Sequence, residues 1–259
     1  MKGTVYLVGA GPGDPELLTI RALRLLRNAE VVLYDDLVSR EILGLIPSTT
    51  QLRNVGKRSG AKKIQQEEIN FLMIALAESG KNVVRLKSGD PLIFGRAGEE
   101  MESLRKAGIE FEIVPGITSA LAAAASAQIP LTDRRASSAV VFLAGHQVKG
   151  TEAEWSKLAA SGSTLVIFMP GRGYEELAGK LRKAGLSVDT PCAVIAQATT
   201  PRERIHGTTI GELARSPQLP APSLLVVGEV ALQSAATVEN VIAMRTEEIR
   251  SNSDEESFT

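Results

Sequence analysis

The chain has 259 residues, 44% hydrophobic and 23% charged, with a formal net charge of −1. That length suits one large domain or two of about 120 residues, while the near-neutral balance excludes a general nucleic-acid footprint and no apolar run reaches the roughly 18–20 residues that span a bilayer. The single cysteine, Cys192, excludes an internal disulfide and a thiolate metal cluster; with a strand beginning at once and no room for a signal peptide, the expected setting is cytoplasmic.

The first predicted strand, Thr4 to Val8, runs into Gly9-Ala10-Gly11-Pro12-Gly13-Asp14-Pro15. A pyrophosphate-cradling turn reads G-x-G-x-x-G. Here Asp14 takes the place of the last glycine, and its carboxylate repels a phosphate. Asp14 as a cap and Pro15 in a first turn both suit a helix start. The turn therefore fits a neutral or cationic ligand, or a tight strand-to-helix connection that binds nothing. Leu17, Leu18, Ala22, Leu25 and Leu26 then recur at helical spacing.

A second strand, Val31 to Tyr34, ends at Asp35 and Asp36. An acid here can bind a ribose hydroxyl, act as a general base, or cap the helix that follows; the residues alone leave all three open. The stretch from about Gln51 to Lys63 reads as irregular and basic, with Arg53, Lys57, Arg58, Lys62 and Lys63 and no acid. It is either a solvated face or a loop that closes over an anionic substrate.

A helix from about Gln65 to Ser79 leads through Gly80 into a strand from Asn82 to Leu86. After it comes Lys87-Ser88-Gly89-Asp90-Pro91-Leu92-Ile93-Phe94-Gly95-Arg96, which reads as a plain β-turn or as backbone that approaches a ligand. A helix from Gly98 to Lys106 stops at Gly108, as helices do. Strand Phe111 to Val114 then meets Pro115-Gly116-Ile117-Thr118-Ser119 and an alanine-rich helix to Ala127. Three turns of this kind, each after a parallel-type strand, converge on one edge of one sheet.

Around Ile129 to Arg135 the rhythm pauses, which places a domain junction there: 1–132 forms an N-terminal α/β domain and 133–244 a C-terminal one. The second holds strand Ala139 to Leu143, helix Glu152 to Ala160, strand Thr164 to Met169 and helix Tyr174 to Ala184. Strands Cys192 to Ala196, Arg202 to His206 and Leu224 to Val227 follow, with some antiparallel pairing. The fold class is thus two α/β domains, the first mostly a parallel sheet and the second mixed. Residues 245–259 read as a disordered acidic tail, net −4 from Glu247 onward. His146 and His206 lie far apart without ligand-spaced carboxylates, so no metal is expected, and Cys192 reads as core.

Taken in order, Val8-Gly9-Ala10-Gly11-Pro12-Gly13-Asp14, Tyr34-Asp35-Asp36-Leu37-Val38, Val55-Gly56-Lys57-Arg58, Gly89-Asp90-Pro91-Leu92-Ile93-Phe94-Gly95-Arg96 and Pro115-Gly116-Ile117-Thr118 resemble the tetrapyrrole methylase family. The resemblance runs over roughly residues 3 to 240 and leaves the acidic tail outside. It implies a ligand cleft between the two domains, a homodimer, and S-adenosyl-L-methionine as methyl donor, with S-adenosyl-L-homocysteine as product. The Tyr-Asp-x-Leu-Val and Val-Gly-Lys-Arg pieces point to members that methylate uroporphyrinogen III at C-2 and C-7, giving precorrin-2 for sirohaem and cobalamin synthesis. A later precorrin methyltransferase, which shares the first turn and the Gly-Asp-Pro segment, is the alternative.

By motif, the resemblance assigns donor contacts to Pro12, Ser88, Gly89, Asp90, Ile93, Thr118, Ser119, Met169 and Ala198. It assigns proton acceptance to Asp35 and proton donation to Lys57. Two positions depart from the family: Ser88 stands where Gly is usual, and Ala97 replaces the second glycine after Arg96. The chemistry agrees with the residues. A sulfonium cation tolerates Asp14, and a substrate with eight carboxylates gives the basic loop and Arg134-Arg135 a purpose. Two readings from other classes stay in view: a nucleotide-dependent oxidoreductase built on the first turn and Asp35, and a tetrapyrrole-binding protein without catalysis.

Overall fold

A computed structural model describes residues 1–56, 65–145, 153–171 and 173–234. Lys57 and the rest of the basic loop to Lys63, His146, and the tail 245–259 lie outside the described residues. The chain divides into two compact units, Met1–Ser119 and a second that begins at Ala120.

The first unit is a parallel sheet sandwiched by helices. Strands β1 (Val5–Gly9), β2 (Val31–Tyr34), β3 (Gln51–Asn54), β4 (Val83–Lys87) and β5 (Phe111–Val114) lie in the order β3-β2-β4-β1-β5. Every neighbouring pair is parallel. Side chains alternate between the two faces. Val5, Leu7, Leu33 and Val83 pack on one face against Ile69 and Met73 of α3 (Gln66–Glu78) and Leu104 of α4 (Ala97–Lys106). Val8, Val32, Val84 and Leu86 pack on the other against Ala22 and Leu26 of α1 (Ile20–Arg27) and Ile42 of α2 (Arg40–Leu43). Each fully buried aliphatic side chain contributes about 1.5–3 kcal/mol, so this double-sided burial is what fixes the sheet.

The structure corrects several sequence expectations. Gln51–Asn54, expected to be irregular, is the edge strand β3; its Leu52 and Arg53 are exposed, so it carries no apolar signature. Asp14 caps a single 3-10 turn, Pro15–Leu17, through its Oδ1 and the Glu16 amide at 2.9 Å. The α-helix proper starts at Ile20, capped by Thr19 Oγ1, which accepts from Ala22 N at 3.1 Å. The helix after Asp36 is the short α2, which starts only after Ser39.

The second unit is built on β6 (Val140–Ala144), β7 (Thr164–Phe168), β8 (Pro191–Ala196), β9 (Arg204–Thr209) and β10 (Ser223–Val227). The order is β6-β7-β10-β8-β9. β6 and β7 run parallel and the remaining pairs antiparallel, the mixed sheet expected from the sequence. α5 (Ser119–Ser126) begins at the unit boundary, and α6 (Trp155–Ala160) starts later than the sequence suggested. α7 (Glu175–Lys183) lays Leu177 and Leu181 against Leu165, Ile167, Val194 and Leu225; Cys192 lies in this core, where burial pushes its thiol up. Among the described residues no helix is long and apolar enough to cross a membrane.

Candidate functional site

The three glycine turns meet because β1, β4 and β5 are neighbours whose carboxyl ends lie on one edge. Gly11 and Gly89 form an antiparallel bridge, Gly11 N donating to Gly89 O at 3.1 Å and Gly89 N to Gly11 O at 2.7 Å. The third turn presses on both. A Cβ added at Gly116 would stand 2.3 Å from Gly89 O and 2.8 Å from the Gly9 Cα, so only glycine fits. Gly89 itself has φ +68°, a region that favours glycine. Asp90 ties the turns together, its Oδ1 accepting from Leu92 N at 2.8 Å and its Oδ2 from Gly116 N at 3.0 Å. A carboxylate has about four acceptor sites, so each oxygen keeps capacity for another donor. Pro12 and Ser88 are half-buried within these turns, and Thr118 and Ser119 come two and three residues after Gly116, Ser119 N lying 3.7 Å from where a Gly89 Cβ would be.

Asp35 ends β2 on the same sheet. The helix that follows is capped by Ser39, whose Oγ accepts from Ile42 N at 3.3 Å, so capping is not the role of Asp35 or Asp36. The Ser39 hydroxyl also donates to Gly13 O at 2.7 Å, anchoring the first glycine turn to the loop after β2. Asp36 instead accepts from Asn54 Nδ2 at 2.7 Å. Asp35 Oδ1 accepts from Arg85 Nη2 at 2.6 Å.

Arg85 belongs to a charged cluster that the sequence reading passed over. Arg85 and Lys87 are alternate residues of β4, on the face covered by α3 and α4. Glu100 of α4 accepts from Arg85 Nε at 3.0 Å, from Lys87 Nζ at 3.0 and 2.9 Å, and from Gln66 Nε2 at 3.1 Å. Burial disfavours the Arg85 charge, but Asp35 and Glu100 outweigh it and raise its pKa further above the ordinary value. For Lys87, burial and the neighbouring Arg85 outweigh Glu100 and hold the ammonium below its ordinary range. The available signal was the pattern Val83-Val84-Arg85-Leu86-Lys87: a central parallel strand is expected to be a near-continuous apolar run.

Backbone strain marks the remaining positions. Among the described residues, the non-glycine residues with positive φ are Phe94, Arg96, Gln128, Met169, Gln197 and Thr199. Gln128 follows the end of α5, where a left-handed residue is ordinary. The others surround positions singled out from the sequence: Phe94 follows Ile93, Met169 is itself one, and Gln197 and Thr199 flank Ala198. Such strain persists where structure over-determines it, commonly at ligand sites. Gln197 Oε1 and Thr199 Oγ1 are also buried without a hydrogen-bond partner among the described residues. In the second unit Met169 follows β7 and is 50% exposed, with its carbonyl so close to Gly145 that a Cβ there would approach to 2.4 Å. Arg96 makes a two-pronged pair with Glu99, at 2.7 Å to each oxygen.

Glycine turns gathered at the carboxyl edge of a parallel sheet define an α/β protein built to take a ligand where such sheets do, followed here by a mixed-sheet unit. A family profile described as Tetrapyrrole (Corrin/Porphyrin) Methylases matches residues 4–214. The chain belongs to that family. It is 50% identical over 230 residues to Siroheme synthase 2 of Aeromonas hydrophila, covering 88% of this chain and 49% of that protein. It is 47% identical over 235 residues to Uroporphyrinogen-III C-methyltransferase of Paracoccus denitrificans, covering 88% of this chain and 82% of that one. Among solved structures, Uroporphyrin-III C-methyl transferase from Thermus thermophilus complexed with S-adenyl homocysteine matches with a TM-score of 0.77 at 40% identity, over 88% of this chain and 98% of that one. The chain spans about half the length of the siroheme synthases it matches.

Proposed function

We propose that the chain is an S-adenosylmethionine-dependent C-methyltransferase that methylates uroporphyrinogen III at C-2 and C-7 to give precorrin-2, for sirohaem and cobalamin synthesis. The observation that carries this reading is the backbone stack of Gly9, Gly89 and Gly116, held by Asp90, at the carboxyl edge of the first sheet. The residues fit the donor. Asp14 in place of the last glycine of a dinucleotide turn suits a cation, and Gln197 Oε1 and Thr199 Oγ1, unpartnered among the described residues, supply acceptors beside Ala198. The donor contacts that the family resemblance assigns, Pro12, Ser88, Gly89, Asp90, Ile93, Thr118, Ser119, Met169 and Ala198, belong to this reading. The donor supplies an electrophilic methyl group on sulfur.

The chain's own task is positioning: well-oriented reactants gain about 7–11 kcal/mol over free ones. Asp35 accepts the proton lost from the ring after methylation, and Lys57 returns one. A homodimer in the cytoplasm belongs to the same reading. The test is incubation with uroporphyrinogen III and S-adenosylmethionine, counting methyl groups by mass. Two added methyls support the assignment. None on uroporphyrinogen III but one on a methylated precorrin would favour a later precorrin methyltransferase.

A further inference from the structure

Arg85, Lys87 and Glu100 place two cations and an anion inside the first unit, with side-chain exposures of 3%, 4% and 0%. Replacing such buried charges by apolar residues is often neutral or stabilising, so stability alone gives little reason for β4 to carry them. Through Arg85 the cluster reaches one half-exposed partner: the Asp35 carboxyl is 29% exposed at the end of β2.

Every nitrogen of the Arg85 guanidinium is engaged. Nε donates to Glu100, Nη2 to Asp35, and Nη1 to the carbonyls of Leu86 and Leu33, at 3.3 and 3.5 Å. Glu100, in turn, is fixed by Lys87 and Gln66 from two other elements. The fork therefore has one orientation, and it meets Asp35 at Oδ1. Oδ2 of Asp35 receives no hydrogen bond among the described residues.

We infer that Arg85 is a positioning residue for Asp35: it locks one carboxylate oxygen and so aims the other at the proton to be removed. Glu100, Lys87 and Gln66 form the brace that holds the guanidinium in place. The inference rests on the proposed role of Asp35 as proton acceptor. A lysine cannot replace the fork, because a point ammonium does not span Asp35 and Glu100 in a fixed plane.

The test is a double-mutant cycle on kcat with uroporphyrinogen III, using Arg85→Lys, Asp35→Asn and the pair, with S-adenosylhomocysteine calorimetry on each. Arg85→Lys is expected to lower kcat about 10- to 100-fold, the scale of a small misplacement of a reacting group, with the KM for uroporphyrinogen III and the affinity for S-adenosylhomocysteine unchanged. In the Asp35→Asn background the same change is expected to cost nothing further. An equal loss in both backgrounds, or a loss confined to KM, overturns the positioning role while leaving Asp35 in place. Unchanged kcat in Asp35→Asn alone overturns the reading of Asp35 instead. Should Arg85→Lys fail to fold, Glu100→Gln weakens the brace with little change of shape, and the same non-additivity with Asp35→Asn decides.

Discussion

The Lys87 ammonium donates to both carboxylate oxygens of Glu100, at 3.0 and 2.9 Å, and neither side chain is more than 4% exposed. Glu100 also holds Arg85, so its removal strands the buried Lys87 and leaves Arg85 with Asp35 as its remaining anion among the described residues. Glu100→Ala is expected to destabilise the protein by about 3–5 kcal/mol, the cost of breaking a buried pair from one side. Urea unfolding checks this. A loss below about 1 kcal/mol would mean that water or a rearranged neighbour takes over the carboxylate's role.

Two glycines separate close approach from helix propensity. Gly116→Ala places a methyl 2.3 Å from Gly89 O, a backbone atom that cannot yield without moving the turn. The expected cost is about 1–3 kcal/mol, typical of overpacking, together with weakened S-adenosylhomocysteine binding. Gly98→Ala, on the exposed side of α4 with nothing within 4 Å of the new methyl, is expected to stabilise by about 0.5–1 kcal/mol. Thermal unfolding and calorimetry on both variants read the contrast.

Asp35→Asn keeps the side-chain shape and removes the basic oxygens. Turnover is expected to fall by about 10²–10⁴, the range for a lost general base, while donor affinity holds. Wild-type kcat in this variant would falsify the proton-transfer role.

Thr199 is strained, with φ +64°, and its buried hydroxyl has no partner among the described residues. Thr199→Val keeps the branching and removes the orphan oxygen. Without ligand the variant is expected to gain about 1 kcal/mol, within the cost of an unsatisfied buried group, yet to bind S-adenosylhomocysteine more weakly. Stabilisation with unchanged affinity would assign the hydroxyl no part in binding.

His206 lies on β9, and burial lowers its pKa below the ordinary 6.5. The unfolded chain therefore takes up this proton first as the pH falls. Its contribution to stability is complete above 6.5 and is lost as the pH drops through that value toward the lower folded pKa. His206→Gln is expected to flatten this part of the stability profile. An identical slope in the variant, measured by unfolding at a series of pH values, would place the titration elsewhere.

The first unit was legible wherever burial writes a pattern into composition. Val31 to Tyr34 and Phe111 to Val114 are apolar runs between glycine or acidic punctuation, and the helix over Gln65 to Ser79 carries Ile69, Met73 and Leu76 at helical spacing. Strand β3 was not legible because an edge strand with exposed Leu52 and Arg53 looks like a loop. Arg85 and Lys87 break an otherwise apolar strand, which marks a departure, but their partners Glu100 and Asp35 lie 15 and 50 residues from Arg85 and only the fold brings them together. The glycine turns announced themselves through residue type. Met169 and Ala198 came only through the family resemblance, since strain in non-glycine backbone leaves no compositional mark.

The place of β10 in the second sheet has a kinetic consequence. It is the last strand among the described residues, yet it lies between β7 and β8. Until Ser223–Val227 has left the ribosome, the second unit holds two separate ladders, β6 with β7 and β8 with β9, each with an open edge. The first sheet has all its strands by Val114 and closes during synthesis. Ribosome stalling or an early stop before Ser223 would therefore leave a finished first unit tethered to two ladders with open edges, on which nascent chains aggregate.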